Sequence, residues 1–298
     1  MGKLLRLRGV TLTDVTAPKI ITRDRIESRG SLMLFDGSHE FGRFTGLPAV
    51  DATVPNALSN LSQALTGGVG ADNDLKVSIS RNNAQFKSER TLKGGIHGLI
   101  TQGGSQVTTE AYMMYGPKAV SDYILANPTH QFYFSLWSVV TRAGLATPAA
   151  QSPMHFTNGV SATTNNLFHM QGGNPSPGFS SAAPWRGSKS DPTFGDHNVS
   201  VVPPMKRFGS IGVQGFTGTP PSAADRIHLG VGTFGGWNGL NYNVCASRII
   251  YRSYCEDLTA SGRNYAEVEA LDYALFQEAF APGGKFYGDT FTSPSTLP

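Results

Sequence analysis

Apolar residues in this chain recur mostly with period two or in short unbroken runs, and only near the C-terminus with helical spacing. The clearest strand pattern is Ser247–Tyr254 (SRIIYRSY), rich in β-branched and aromatic residues. Gln131–Thr141 (QFYFSLWSVVT) is apolar on both faces: Phe132, Phe134, Leu136, Ser138 and Val140 alternate with Tyr133, Trp137 and Val139. That is the pattern of a central strand of a packed sheet pair. Shorter strand patterns fall at 32–35, 75–79, 98–101, 107–114, 200–202, 210–214 and 226–231, separated by Gly, Asn and Pro clusters. Residues 57–65 read as a short helix and 117–127 as a helical turn.

A longer amphipathic helix follows the last strand. Asn264 is its N-cap and Glu267 completes a capping box. Val268, Leu271, Leu275 and Ala279, with Phe276 and Phe280, form its apolar stripe, and Pro282-Gly283-Gly284 stops it. Residues 144–198, dense in Pro, Gly, Ser and Asn, read as the main loop tract, of the length usually reserved for function or for a surface covered by a partner.

Composition supports a turn-rich β protein. Charged residues make up 15% of the chain, against about 25% in ordinary soluble domains. Gly, Ser, Thr and Asn take their place, which also fits a surface covered by neighbours. The net charge of +3 is too small to argue for nucleic acid. Its distribution says more: residues 1–30 hold seven Lys or Arg against three acids, and residues 256–298 hold seven acids against two bases. A basic front and an acidic back can pair within one chain or between copies. We therefore expect Arg23, Arg25 and Arg29 to meet Glu267, Glu269 and Asp272 on the acidic face of the C-terminal helix. Cys245 and Cys255 flank the Ser247–Tyr254 strand, and ten extended steps separate them by ~33 Å, so they are expected as free thiols of a reducing compartment. The N-terminus lacks the apolar run of a signal peptide and no stretch is suited to span a bilayer, so synthesis in a cytoplasm is expected.

Motifs that carry chemistry are few. Gly230-Val231-Gly232-Thr233-Phe234-Gly235 matches G-x-G-x-x-G, but Gly236-Trp237-Asn238-Gly239 follows where a dinucleotide site needs a helix, so a β-turn is expected. The histidines are scattered, with no H-E-x-x-H and no paired cysteines, so no metal site is expected. Loop oxygens of Asp191 and Asp196 are the only suggestion of a structural Ca²⁺. No G-x-S-x-G elbow occurs and no carboxylate pair stands out, so no catalytic residue is assigned. Aromatic and polar residues in Gly-rich loops are more suggestive. Trp185 and Arg186, Asp196 and His197, and Trp237 and Asn238 provide the flat platform and the hydrogen-bonding groups that a sugar ring needs. The same residue types also pin loops and fill subunit interfaces.

Three stretches carry a family resemblance: Gly30–Ser38 (GSLMLFDGS), Phe132–Arg142 (FYFSLWSVVTR) and Ala246–Phe291, with its S-G-R-x-Y-A-E-V and G-G-x-F-Y-G-D segments. They resemble tailed-bacteriophage virion proteins with a concanavalin-A/laminin-G-like lectin fold. The resemblance implies an all-β, jelly-roll-like sandwich over residues 30–255, preceded by a basic arm (1–29) and followed by a turn, helix and tail (256–298). It implies a structural role in a phage tail or baseplate, made in the host cytoplasm. The expected partners are copies of the chain, other virion proteins and host surface polysaccharide, without membrane insertion. A carbohydrate-binding module is the alternative and a polysaccharide-degrading enzyme the more distant one. The matching residues are core-forming, so they bear on the fold and carry no ligand residue across.

Overall fold

The computed structural model describes residues 23–103, 110–145, 153–157, 168–170, 185–190, 203–214, 226–232 and 245–298. Within them the chain is mostly strand, in two antiparallel sheets with few helices. In chain order the strands are β1 (Ser31–Asp36), β2 (Thr53–Val54), β3 (Leu75–Ser80), β4 (Phe86–Arg90), β5 (Ile96–Ile100), β6 (Ala111–Tyr115) and β7 (Gln131–Arg142). They continue with β8 (Met154–Thr157), β9 (Phe168–Met170), β10 (Trp185–Ser190), β11 (Met205–Gln214), β12 (Arg226–Gly232) and β13 (Ser247–Asp257). The helices are α1 (Ser59–Thr66), α2 (Lys118–Ala126), α3 (Leu258–Ser261) and α4 (Tyr265–Phe280).

One sheet runs β10-β11-β7-β13-β5-β4, with β1 also paired to β13. The other runs β2-β3-β6-β12-β8-β9. Their facing sides share one apolar core, in which Phe134, Leu136 and Ile250 of the first sheet lie with Met114, Phe156, Leu229 and Val231 of the second. The doubly apolar strand inferred at 131–141 is the central β7, and β13 beside it is buried along its whole length. Both cysteines are buried free thiols.

Strand β13 shares one edge between two partners. β5 pairs with Arg248–Ile250 and β1 with Ser31–Asp36 against the stretch ending at Glu256. Where β1 ends and β5 begins, Gly37 and Gly94 approach so closely that a Cβ on Gly37 would lie 2.2 Å from the Gly94 carbonyl oxygen. Only glycine fits that junction.

The loop-tract reading of 144–198 needs correction. Strands β8, β9 and β10 lie inside it. They are 4, 3 and 6 residues long. β10 (WRGSKS) carries little of the alternating apolar signal that marks a half-buried strand, and the other two are too short for a period to register. Strand β4 (FKSER) was not anticipated, because one apolar residue on an edge strand gives no period to read.

Candidate functional site

The outer face of the β7/β13 sheet, the side away from the core, is covered by the two ends of the described chain. A β-bulge sets its chemistry. Between Ile250 and Arg252 the β13 register shifts by one residue, so that Ile250 opposes Ser138 and Arg252 opposes Trp137. Strict alternation would turn Arg252 into the apolar core. The extra residue instead puts both Tyr251 and Arg252 on the outer side, and Ser253 resumes the inner one.

Arg252 is the centre of a buried ionic cluster. Its guanidinium forks onto Asp24, with Nη1–Oδ2 at 2.7 Å and Nη2–Oδ1 at 2.9 Å, and Nη1 also donates to Asp36 Oδ2 at 3.2 Å. It lies over the Trp137 ring, 4.7 Å from the centroid. Lys285, from the segment after α4, donates to Asp36 and approaches the same ring at 5.7 Å. The Trp137 indole donates to Asp272 Oδ1 at 3.0 Å and the Tyr133 hydroxyl to Oδ2 at 2.9 Å. A charge removed from water is tolerable only when paired and hydrogen-bonded; here Arg252 and Lys285 pair with Asp24 and Asp36, and Asp272 has neutral donors alone.

The carboxylates divide by environment. Burial works against ionising Asp24, but the Arg252 hydrogen bonds and charge outweigh it and hold the group well below the usual carboxylate range. Asp36 is likewise depressed against burial, by the Lys285 and Arg252 charges. Asp272 is pushed up, because burial outweighs the Arg252 charge and the neutral donors around it. Arg252 is held above its ordinary value despite burial, chiefly by Asp24.

Beside this cluster opens a cleft of about 390 Å³ lined by Arg23, Arg25, His39, Trp137, Glu278 and Lys285, among others. A second cleft of about 390 Å³ adjoins it through Arg23 and His39 and is lined by Phe41, Pro55, Leu58 and Leu61. Across the first, Arg25 Nη1 meets Glu278 Oε2 at 2.6 Å, with both side chains about 60% exposed. Of the acids expected to face the basic arm, Asp272 is a correction: it lies fully buried under the helix, on Tyr133 and Trp137. Glu269 accepts from Ser210 Oγ at 2.9 Å and from the Tyr265 hydroxyl at 3.0 Å. Glu267 closes the capping box with Asn264. Arg23 and Arg29 are exposed.

A second polar cluster has a hydroxyl–imidazole–carboxylate order. Thr141 Oγ1 lies 2.9 Å from His97 Nε2, and His97 Nδ1 lies 2.8 Å from Glu89 Oε1. The order is that of a nucleophile, a base and an orienting acid. The C-terminal tail closes it: Phe291 sits edge-on to the imidazole, Thr292 donates to both Glu89 oxygens, and His97 is fully buried. Against burial, the His97 and Thr292 hydrogen bonds lower Glu89 from the usual 4.5 to about 2. With no open face beside the imidazole, the arrangement works as a clasp for the tail.

Of the residues proposed for sugar binding, Trp185 and Arg186 lie in strand β10 and not in a loop, Trp185 opposite Val213 and Arg186 at a bulge, which corrects their expected placement. Asp196, His197, Trp237, Asn238 and the proposed Ca²⁺ oxygen of Asp191 lie outside the described residues. So does the second half of the G-x-G-x-x-G match, whose first half ends β12. Among the described residues no group of three or more His, Cys, Asp or Glu is assembled for a metal ion, and no helix is long and apolar enough to cross a membrane. Sequence reading missed Arg252, Asp24, Asp36 and Lys285. The one available signal was an arginine within a run otherwise fit for a buried strand. No protein-family model matches the chain, and none of the curated proteins or solved structures compared with it matches either.

Proposed function

We propose that this chain is a structural subunit of a bacteriophage tail or baseplate, with a jelly-roll-like sandwich of the concanavalin-A/laminin-G kind, assembled as a homo-oligomer. It works in the virion and has no catalytic role. The observation that carries the reading is the cleft between the residue 23–41 segment and α4 with the turn after it. Arg23, Arg25, Glu278 and Lys285 place both signs of charge around one opening, and a cleft of mixed lining, with Leu61 and half-exposed Phe41 beside Glu27, Asn60 and Asp74, continues it. Mixed charge beside an exposed aromatic residue is the character of a protein–protein interface. It suits a sugar less well, because Arg252 and Lys285 already cover the Trp137 ring that lines it.

The resemblance of residues 30–38, 132–142 and 246–291 to phage virion proteins gives the assembly its setting. Those stretches form β1, β7 and the β13-to-tail segment, the elements that build the outer layer. The test is in two steps. Light scattering on the purified chain is expected to show a discrete oligomer, and a strict monomer at high concentration counts against the proposal. Deleting the gene from the phage that encodes it is expected to yield tailless particles or particles with defective baseplates. Normal particles that have lost only adsorption would instead favour the receptor-binding alternative.

A further inference from the structure

We propose that the cleft between the residue 23–41 segment and α4 is a two-fold interface with a second copy of this chain, in which Arg25 of each copy pairs with Glu278 of the other. The contact rests on the homo-oligomer reading above and deepens it by naming the surface that the copies share.

Arg25 and Glu278 stand on opposite lips of the cleft, 253 positions apart in sequence, Arg25 on the N-terminal segment and Glu278 in the last turn of α4. Within the chain they are joined through Nη1 and Oε2, with the side chains 60% and 59% exposed. An exposed pair of this kind adds little to the fold, so its partners are exchanged at small cost. Each side chain also keeps capacity in hand. Among the described residues the pair engages one of the five N–H donors of the arginine and one of the two carboxylate oxygens. A guanidinium forks onto two acceptors at once, so Arg25 is equipped to hold its own Glu278 and the partner's Glu278 together, or to pass from one to the other.

The identity of the occupant follows from charge. The first cleft is lined by Arg23, Arg25, Arg252 and Lys285 against Asp24 and Glu278, and the second adds Glu27 and Asp74. The two signs are therefore equal in number across the whole opening. A strongly acidic or strongly basic partner gains nothing on balance from such a surface. A surface with opposite charges on opposite lips, by contrast, matches its own copy after a half-turn. The half-turn sets Arg25 against the partner's Glu278 and Glu278 against the partner's Arg25, one contact made twice. Phe41, 52% exposed on the adjoining cleft, supplies the aromatic area that charges alone lack. Between two copies the exchanged pairs lose part of their water, which strengthens each beyond its value on the free surface.

The test uses the full chain in two charge-reversed variants, Arg25→Glu and Glu278→Arg. Both positions are exposed, so each variant should keep the parent's circular dichroism spectrum and its cooperative melting. Alone, each variant sets like charges against each other at both ends of the two-fold contact. Self-association measured by sedimentation equilibrium should then weaken roughly hundredfold or more. Mixed in equal amounts, the two variants restore both opposite-charge contacts, and native mass spectrometry should show the mixed dimer forming at close to the parent's affinity. Pairing within one chain does not produce that recovery, because in each variant chain the pair stays like-charged. Variants that assemble as the parent does, or that fail to recover on mixing, overturn the two-fold contact and leave the homo-oligomer reading standing. A parent chain that stays monomeric at every concentration overturns both.

Discussion

The two faces of β13 hold the protein together by different physics. Toward the second sheet, Ile250 and Cys255 lie in an apolar core with Phe134 and Leu136 of β7. On the other side the same strand presents Arg252, Tyr254 and Glu256 to a layer of charges and hydroxyls supplied by both ends of the described chain. The apolar contacts of the inner face are non-directional and insensitive to pH, and their strength follows buried area. The outer face depends on each charge keeping its partner. The difference teaches that one inserted residue, at the bulge before Arg252, lets one strand serve both.

The comparison breaks most sharply at Arg252. Arg252→Ala leaves Asp24 and Asp36 buried with Lys285 as their remaining cation, and breaking a buried pair from one side costs about 3–5 kcal/mol. Leu136→Ala on the inner face is expected to cost a similar 2–5 kcal/mol through lost burial and the cavity left behind. Chemical denaturation at several pH values separates them. The inner variant keeps the parent's pH dependence with a lower midpoint, and the Arg252 variant loses much of that dependence. Equal pH profiles for both would mean the ionic layer contributes little of its own.

The acid limb sharpens the same contrast in the parent chain. Asp24, Asp36 and Glu89 ionise more readily in the fold than in the unfolded chain, so the fold binds fewer protons. Their contribution is complete above the ordinary carboxylate range near pH 4 and fades as pH falls through their depressed folded values. For Glu89 that window runs from 4.5 down to about 2. Asp272 runs the other way. Its raised value makes its charge a cost at neutral pH, and that cost is relieved as pH falls through the raised value. Stability measured by denaturation should therefore decline below about pH 4. In Asp272→Asn the part of the profile above that point should flatten; an unchanged profile there would place the Asp272 charge elsewhere than its burial implies.

How much of this was legible beforehand follows the same division. The inner face leaves its trace locally in the sequence, so β7 could be read from a run apolar on both faces and β13 from its β-branched and aromatic residues. The helix caps were legible because a capping box is local in sequence, and Asn264→Ala is expected to cost about 1 kcal/mol by thermal denaturation. The outer layer joins residues more than two hundred positions apart, such as Asp24 and Arg252, through a bulge that the residue pattern does not announce. Asp272 misled for a related reason. Charge alone assigned it to the solvated side of α4, whereas its place in the turn, beside buried Val268 and Phe276, puts it on the inward stripe.

The smallest expected effect bears most directly on assembly. Arg25 and Glu278 are both largely exposed, and exposed pairs contribute about 0.2–1 kcal/mol, screened by salt. A double-mutant cycle of Arg25→Ala and Glu278→Ala should therefore give a coupling in that range for unfolding, shrinking at high salt. If the cleft they bridge is where copies of the chain meet, the same substitutions should shift the oligomer toward smaller species far more than so small a coupling predicts. That follows because a rim charge set against a partner acts in an environment from which water has been partly removed. Oligomer populations unchanged across the cycle would detach the cleft from assembly and leave Arg25–Glu278 as a surface pair tying the N-terminal segment to α4.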